Sequence, residues 1–177
     1  MNKLENLRCY LAGPIEYMPK DYNGFDKNEL IDFLENLGIK VIDPKKLKFQ
    51  GVSEISNRDE LFKNHDFQEI RRQMKIIVRK DLRAVDISDF IIAFLPKGVK
   101  TTGTVHEIIQ ADSQQKPVLL LCPEGIENIP AWYFGIIPLE YMFSSLDKLK
   151  DYLLNIPEYD NHWQFIMENL HLSDTNQ

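Results

Sequence analysis

Asp89-Phe90-Ile91-Ile92-Ala93-Phe94-Leu95 opens on one acid and then runs apolar without a break. That is the pattern of a strand buried on both faces of a parallel sheet, since a strand with one wet face would alternate. Pro96, Lys97 and Gly98 end it, and Thr101-Thr102-Gly103-Thr104-Val105-His106-Glu107 follows. Ile108, Ile109 and Ala111 then read as the first turns of a helix, and Lys116-Pro117 punctuates before a second apolar run, Val118 to Cys122. The unit is strand, loop, helix, strand. Ligands of open parallel sheets gather at the carboxyl ends of the strands. Glu107 is therefore expected near a helix start at such an end, beside small hydroxyl residues and a glycine that let a substrate come close to the backbone.

Working outward, Leu7 to Ala12 reads as a first strand closed by Gly13-Pro14, and Ile15 to Asn23 as a long loop. Leu30, Phe33, Leu34 and Leu37 follow helical spacing over Phe25 to Leu37, with Gly38 placed to stop that helix. Ile39 to Ile42 reads as a second strand, ended by Asp43-Pro44. Lys45 to Asn64 is polar and without period, and is expected to be a loop or a partly ordered lid. Phe67 to Ala84 reads as a helix with Ile70, Met74, Ile77 and Val78 on one side and Arg71, Arg72, Lys75 and Arg79 on the other. Pro123 to Tyr141 is rich in proline and aromatics, fit for core packing, for roofing a site or for a subunit contact. Leu146 to Leu154 and Trp163 to Leu170 resemble two terminal helices. Helices alternating with apolar strands give an α/β fold, a doubly wound parallel sheet with helices on both faces and a helical C-terminal tail.

The 177 residues suit one domain over 1–177, with a core at about 7–145 and a helical extension over 146–177. With 21 Lys and Arg against 27 Asp and Glu, the net charge is −6. That argues against a general nucleic-acid or anionic-membrane binder and for a small-molecule or protein partner. Cys9 and Cys122 both lie in strand-like apolar runs, the setting of buried reduced thiols. No leading stretch has a signal peptide's basic start and apolar middle, and no apolar run reaches the ~20 residues of a membrane span. A cytosolic protein is expected.

The chain lacks the G-x-G-x-x-G and Gly-Lys-Ser/Thr phosphate loops, which speaks against a dinucleotide enzyme or a kinase. His65, His106, His162 and His171 do not stand at metal-ligand spacings with one another or with the cysteines, so no metal and no cofactor are expected. Three acidic positions compete for a chemical role: Asp81, the pair Asp86 and Asp89, and Glu107. Asp86 and Asp89 are explained by hydrogen-bonding a turn or a strand start. Asp81 is read towards the end of its helix, where the macrodipole disfavours an anion, with Lys80 and Arg83 beside it. A glutamate near a helix start is by itself a capping or dipole-stabilising residue as readily as a catalyst.

Several pieces in order resemble the nucleoside 2-deoxyribosyltransferase family, including its nucleoside 5′-monophosphate N-glycosidase relatives. They are Tyr10-Leu11-Ala12-Gly13-Pro14-Ile15, Ile42-Asp43-Pro44, Lys80-Asp81-Leu82 through Ser88-Asp89, and Gly103-Thr104-Val105-His106-Glu107 followed by Lys116-Pro117-Val118. The resemblance implies a flavodoxin-like sheet and an enzyme that cleaves the N-glycosidic bond of a deoxynucleoside through a covalent sugar–enzyme intermediate. By the match, Glu107 is the nucleophile, Asp81 the acid/base at the nucleobase, and Tyr10 the residue that orients Glu107. It also places Gly13, Pro14, Ile15, Thr101, Thr102, Gly103 and Thr104 against the substrate. Asn128 stands in the region of an amide residue that family members receive from a neighbouring subunit, which implies a homo-oligomer.

The sequence departs from the family's patterns in two places, once from the transferases and once from the hydrolases. Thr101 and Thr102 stand where transferases commonly carry an acid for the sugar hydroxyl, and hydroxyl residues there suit the nucleotide hydrolases. Glu16 stands where those hydrolases use a basic residue, and a carboxylate beside a phosphate repels it unless Lys20, Lys97 or Lys100 compensates. The first expectation is deoxyribose transfer to another nucleobase. Hydrolysis of a (deoxy)nucleoside 5′-monophosphate and a non-catalytic nucleotide-binding module are the alternatives.

Overall fold

The computed structural model describes residues 4–14, 25–47, 55–99, 101–156, 163 and 166. Five parallel strands form one sheet in the order β2-β1-β3-β4-β5. They are β1 (Arg8–Ala12), β2 (Lys40–Ile42), β3 (Phe90–Phe94), β4 (Val118–Leu121) and β5 (Met142–Phe143). The helices are α1 (Lys27–Asn36), α2 (Arg58–Lys63), α3 (Phe67–Ile87), α4 (Thr102–Ser113) and α5 (Leu146–Leu154). This is the flavodoxin-like order, in which the chain leaves β1 towards β2 on one side and towards β3 on the other. All residues of β3 and β4 are buried, as their unbroken apolar runs require.

Both faces of the sheet carry helices. On one side, α3 and α4 pack on each other and both reach β1. On the other, α1 lies against β2 and α5 against β4 and β5, and Lys150 of α5 pairs with Glu29 of α1. The helix ends follow from local chemistry. Asp26 accepts from Asn28 N at 2.8 Å and caps α1, and Gly38 takes φ +79° just past its end, where a side chain would be strained. Ser145 caps α5 and Asp66 caps α3 in the same way. Trp163 is buried against Phe90, its ring 5.0 Å away, and its Nε1 donates to the Tyr152 hydroxyl at 2.8 Å.

Four expectations need correction. The stretch expected to be a loop or lid over 45–64 contains α2, a six-residue helix with no buried residue, too short to show a period. A fifth strand, β5, follows directly after the proline- and aromatic-rich stretch; it is two residues long and continues the sheet from β4 by register Leu120↔Met142. Helix α3 extends to Ile87, past the expected end at Ala84. Its buried side is Gln73, Ile77, Asp81, Ala84 and Val85; of the residues expected there Ile77 is buried and Ile70 and Met74 are half-buried, while Val78 is exposed. Of the expected last helix only Trp163 and Ile166 are described, and both are helical.

Within the aromatic stretch Tyr133 and Tyr141 join the core, while Trp132 is 75% exposed. Cys9 and Cys122 are buried and free. Among the described residues no helix is long and apolar enough to cross a membrane. The packing makes a direct prediction. Leu119→Ala, at a fully buried site in β4, lowers unfolding free energy by about 2–5 kcal/mol, while Leu139→Ala at an exposed site changes it by no more than ~0.5 kcal/mol, both read by urea denaturation.

Candidate active site

Alternation along β1 sends Tyr10 to the side opposite Cys9 and Leu11, under α3 and α4. Its hydroxyl donates to Glu107 Oε1 at 2.7 Å, and both groups are buried. Glu107 belongs to the inward stripe of α4, with Thr104, Ile108 and Ala111. This is the i, i+3, i+4, i+7 spacing that faces a core. Asp81 occupies the matching stripe of α3, one helical turn after Ile77. Two acids thus come from adjacent helices to the face over β1, and each is only 7% exposed.

The positions of both acids within their helices rule out the simple explanations. Glu107 lies more than a turn inside α4, past the reach of capping, rather than near its start. Asp81 lies well before the end of α3, away from the last turn. Each carboxyl is held where water is scarce, and neither serves a helix terminus.

Burial pushes the Glu107 carboxyl up to about 7; the Tyr10 hydrogen bond opposes the shift, the nearby charge of Asp81 adds to it and that of Lys80 opposes it. Burial also raises Asp81, against the pull of Lys80. The Asp81 Oδ1 atom is 3.3 Å from Lys80 Nζ as an ion pair, yet accepts no hydrogen bond among the described residues. Tyr10 is driven far above its ordinary range by burial and by the charges of Glu107, Asp81 and Asp43, so it remains a phenol and a donor. The site therefore offers one carboxyl, Glu107, oriented by a fixed donor and pushed to about 7, beside a second carboxyl, Asp81, that burial raises and Lys80 pairs.

The remaining expected site residues divide. Gly13 and Pro14 lie just past β1, and a Cβ on Gly13 would stand 3.6 Å from Phe94 Cβ at the end of β3. Gly13 is thus at the carboxyl edge where the strand order reverses. Thr101 is the N-cap of α4 but makes no side-chain cap bond, Thr102 is exposed, and Gly103 faces open space. Thr104 is buried one turn before Glu107, its Oγ1 without a hydrogen-bond partner among the described residues. Asn128 spends its amide locally, donating to Glu124 O at 2.7 Å and Gly125 O at 3.4 Å. Ile15 lies outside the described residues, as do Glu16, Lys20 and Lys100.

The competing acids are structural. Asp89 accepts from Arg8 N at 2.7 Å and pairs with its guanidinium, joining the amino ends of β3 and β1. Asp86 accepts from the Gln110 and Gln114 amides and ties α3 to α4. His106 is exposed. Among the described residues no group of three or more His, Cys, Asp or Glu is placed to hold a metal ion.

Three residues around Tyr10 and the acids were not singled out by sequence as site residues. Asp43, read only as a strand end and part of a motif, is buried and paired with Lys27 Nζ at 2.6 Å. Lys80 was noted only as a neighbour of Asp81, and Lys27 carried no signal at all.

The class so defined is a flavodoxin-like α/β protein with a buried Tyr-Glu-Asp set beside the point where its sheet reverses order. Solved structures share this fold. A 2-deoxyribosyltransferase from Bacillus psychrosaccharolyticus superposes with a TM-score of 0.55 at 19% identity, over 82% of this chain and 91% of that one. A 2-deoxyribosyltransferase from Leishmania mexicana gives 0.50 at 15% identity, over 85% and 99%. A conserved protein from Enterococcus faecalis V583 gives 0.54 at 19%, over 84% and 97%. At these identities the likeness is one of fold, and the fold is the one the sequence resemblance implies. No protein-family model matches the chain, and no curated protein matches it in sequence.

The raised Glu107 has a sign that can be measured. Its proton is held more tightly in the folded chain than at the ordinary value of 4.5, so stability is full below that value and is lost as pH rises through about 7. Glu107→Gln keeps an acceptor for Tyr10 and never ionises. It is expected to melt like wild type near pH 4 and to be more stable near pH 8, by on the order of 2–3 kcal/mol, in thermal denaturation across that range.

Proposed function

We propose that the protein is an enzyme of N-glycosidic bonds, a nucleoside 2-deoxyribosyltransferase-like catalyst that moves deoxyribose between nucleobases. The observation that carries the reading is the 2.7 Å bond from Tyr10 to Glu107 in a buried setting, with Asp81 close enough to perturb Glu107. A carboxylate held by a fixed donor next to a second carboxyl that takes up protons is the pair a retaining glycosyl transfer needs. The fold shared with the two 2-deoxyribosyltransferases supports it.

In this scheme a Glu107 oxygen attacks the anomeric carbon as the bond from that carbon to the base nitrogen breaks. The bonding pair leaves on the base, which takes the Asp81 proton. An incoming base gives its N–H proton back to Asp81 and attacks the same carbon, and the sugar–Glu107 ester bond breaks to restore the carboxylate. Water as the acceptor gives hydrolysis by the same steps. The raised Asp81 supports its part as donor, since a departing base leaves poorly until protonated.

A second reading takes a nucleoside 5′-monophosphate and water. It is favoured by the start of α4, where Thr101 leaves the first turn uncapped by its side chain and Thr102 is exposed, because helix N-termini and hydroxyls suit phosphate. Self-association is part of the proposal, supported by exposed Trp132, Phe134 and Leu139 after β4. A dimer or larger species is expected in sedimentation velocity, and a monomer at all concentrations would remove that part.

Deoxynucleosides and their 5′-monophosphates, each with and without a second free base, separate the readings by chromatography of products. A new nucleoside marks transfer, free base with free sugar phosphate marks hydrolysis, and no product from any of them favours a binding module. Glu107→Ala is expected to abolish turnover with the fold retained. Asp81→Asn should lower it by roughly 10²–10⁴-fold. Near wild-type rates in Glu107→Ala would sink the nucleophile assignment.

A further inference from the structure

Lys80 is an unusual neighbour for a proton-handling acid. Its side chain is 6% exposed, and its ammonium donates to Pro44 O at 3.1 Å and Leu47 O at 3.2 Å while standing 3.3 Å from Asp81 Oδ1. Residues i and i+1 of a helix diverge, so helix geometry alone does not bring Lys80 to Asp81. The two carbonyls direct the ammonium instead. They belong to a turn that Asp43 organises: its carbonyl accepts from Lys46 N at 3.0 Å and Leu47 N at 3.2 Å, and its carboxylate from Lys45 N at 3.0 Å. The positive charge is thereby held by backbone on one side and presented to Asp81 on the other.

The ionisable groups around Tyr10 come from five elements, β3 beside it being wholly apolar. From β1 comes the Tyr10 phenol, from the end of β2 Asp43, from α1 its partner Lys27, from α3 Asp81 and Lys80, and from α4 Glu107. Among the described residues the cluster thus has three carboxyls, two ammoniums and a phenol. Uncompensated charge is costly in such a buried place. The neutral cluster carries one proton beyond the two ammoniums, and Asp43 is already matched by Lys27. That proton belongs to Asp81 and Glu107 together.

We propose that Lys80 is a positioning residue that holds the Asp81–Glu107 pair to a single shared proton, leaving one of the two carboxyls ionised to act as nucleophile. The proposal rests on the catalytic reading of Glu107 and Asp81. Remove the ammonium and neutrality needs two protons, so both carboxyls are neutral and attack stops. Raise the pH and the second proton leaves, which restores the attack.

The test pairs a titration that needs no turnover with a rate profile. Lys80→Gln keeps a donor for the Pro44 and Leu47 carbonyls without charge, and Lys80→Arg keeps the charge; Lys80→Met, which keeps the apolar stem, stands in if Lys80→Gln does not fold by circular dichroism. Carbon-13 NMR of the side-chain carboxyls is expected to show Asp81 and Glu107 titrating at higher pH in the neutral variant than in wild type, and near wild type in Lys80→Arg. The acid limb of kcat/KM should move up with them, costing roughly tenfold at neutral pH for each pH unit of displacement, with the rate recovered as pH is raised. Carboxyls and acid limb unmoved in the neutral variant overturn the proposal, as does an equal displacement in Lys80→Arg. A moved titration in a protein that turns over none of the substrates overturns the enzymatic reading and leaves the charge balance standing, so the two failures are told apart.

Discussion

A carboxylate buried away from water needs a donor that will not move, and the hydrogen bond from Tyr10 to Glu107 supplies one. The bond spans the fold. Tyr10 is in the first strand and Glu107 in the fourth helix, 97 residues later, and they meet only because β1 and β3 are neighbours. The helix that leaves β3 then returns over β1. A site at this place needs the order β2-β1-β3, and with the order reversed elsewhere Glu107 would face different strands.

The same constraint accounts for what surrounds the pair. Helix α3 must lie beside α4 to bring Asp81 near, and Asp86 with Gln110 and Gln114 clamps the two helices at the far end. Asp89 and Arg8 lock the amino ends of β3 and β1, the two strands between which the site opens at the other end. Those acids stiffen the scaffold, and the buried ones are the pair to which the proposed chemistry is assigned. The division follows exposure: Asp86 is exposed and lowered by its amide donors, whereas burial raises Asp81 and Glu107.

Lys80 and Asp43 show why the electrostatics of the site are a property of the assembled chain. Each is an ordinary charged residue in sequence, one within a helix and one before a proline. Their effect depends on a turn whose carbonyls capture the ammonium. A fixed cation beside a buried acid changes how many protons the group holds far more than the same cation in solvent does.

The four longer strands and their helices were legible in the chain because buried parallel strands leave unbroken apolar runs, and proline and glycine mark their ends. Helix α2 and strand β5 were not, being too short to carry a period. Tyr10, Asp81 and Glu107 were legible as an ordered resemblance, while the apolar count on α3 found Ile77 of the inward side but not Gln73 and Asp81, since polar residues at core positions leave no apolar mark. By itself the sequence determined the fold class and the three residues to watch, since these depend on local pattern and order along the chain. Tertiary structure alone decided that two acids share one buried place with a phenol and two paired lysines, because burial, and with it the hold on a proton, comes from packing between elements far apart in sequence.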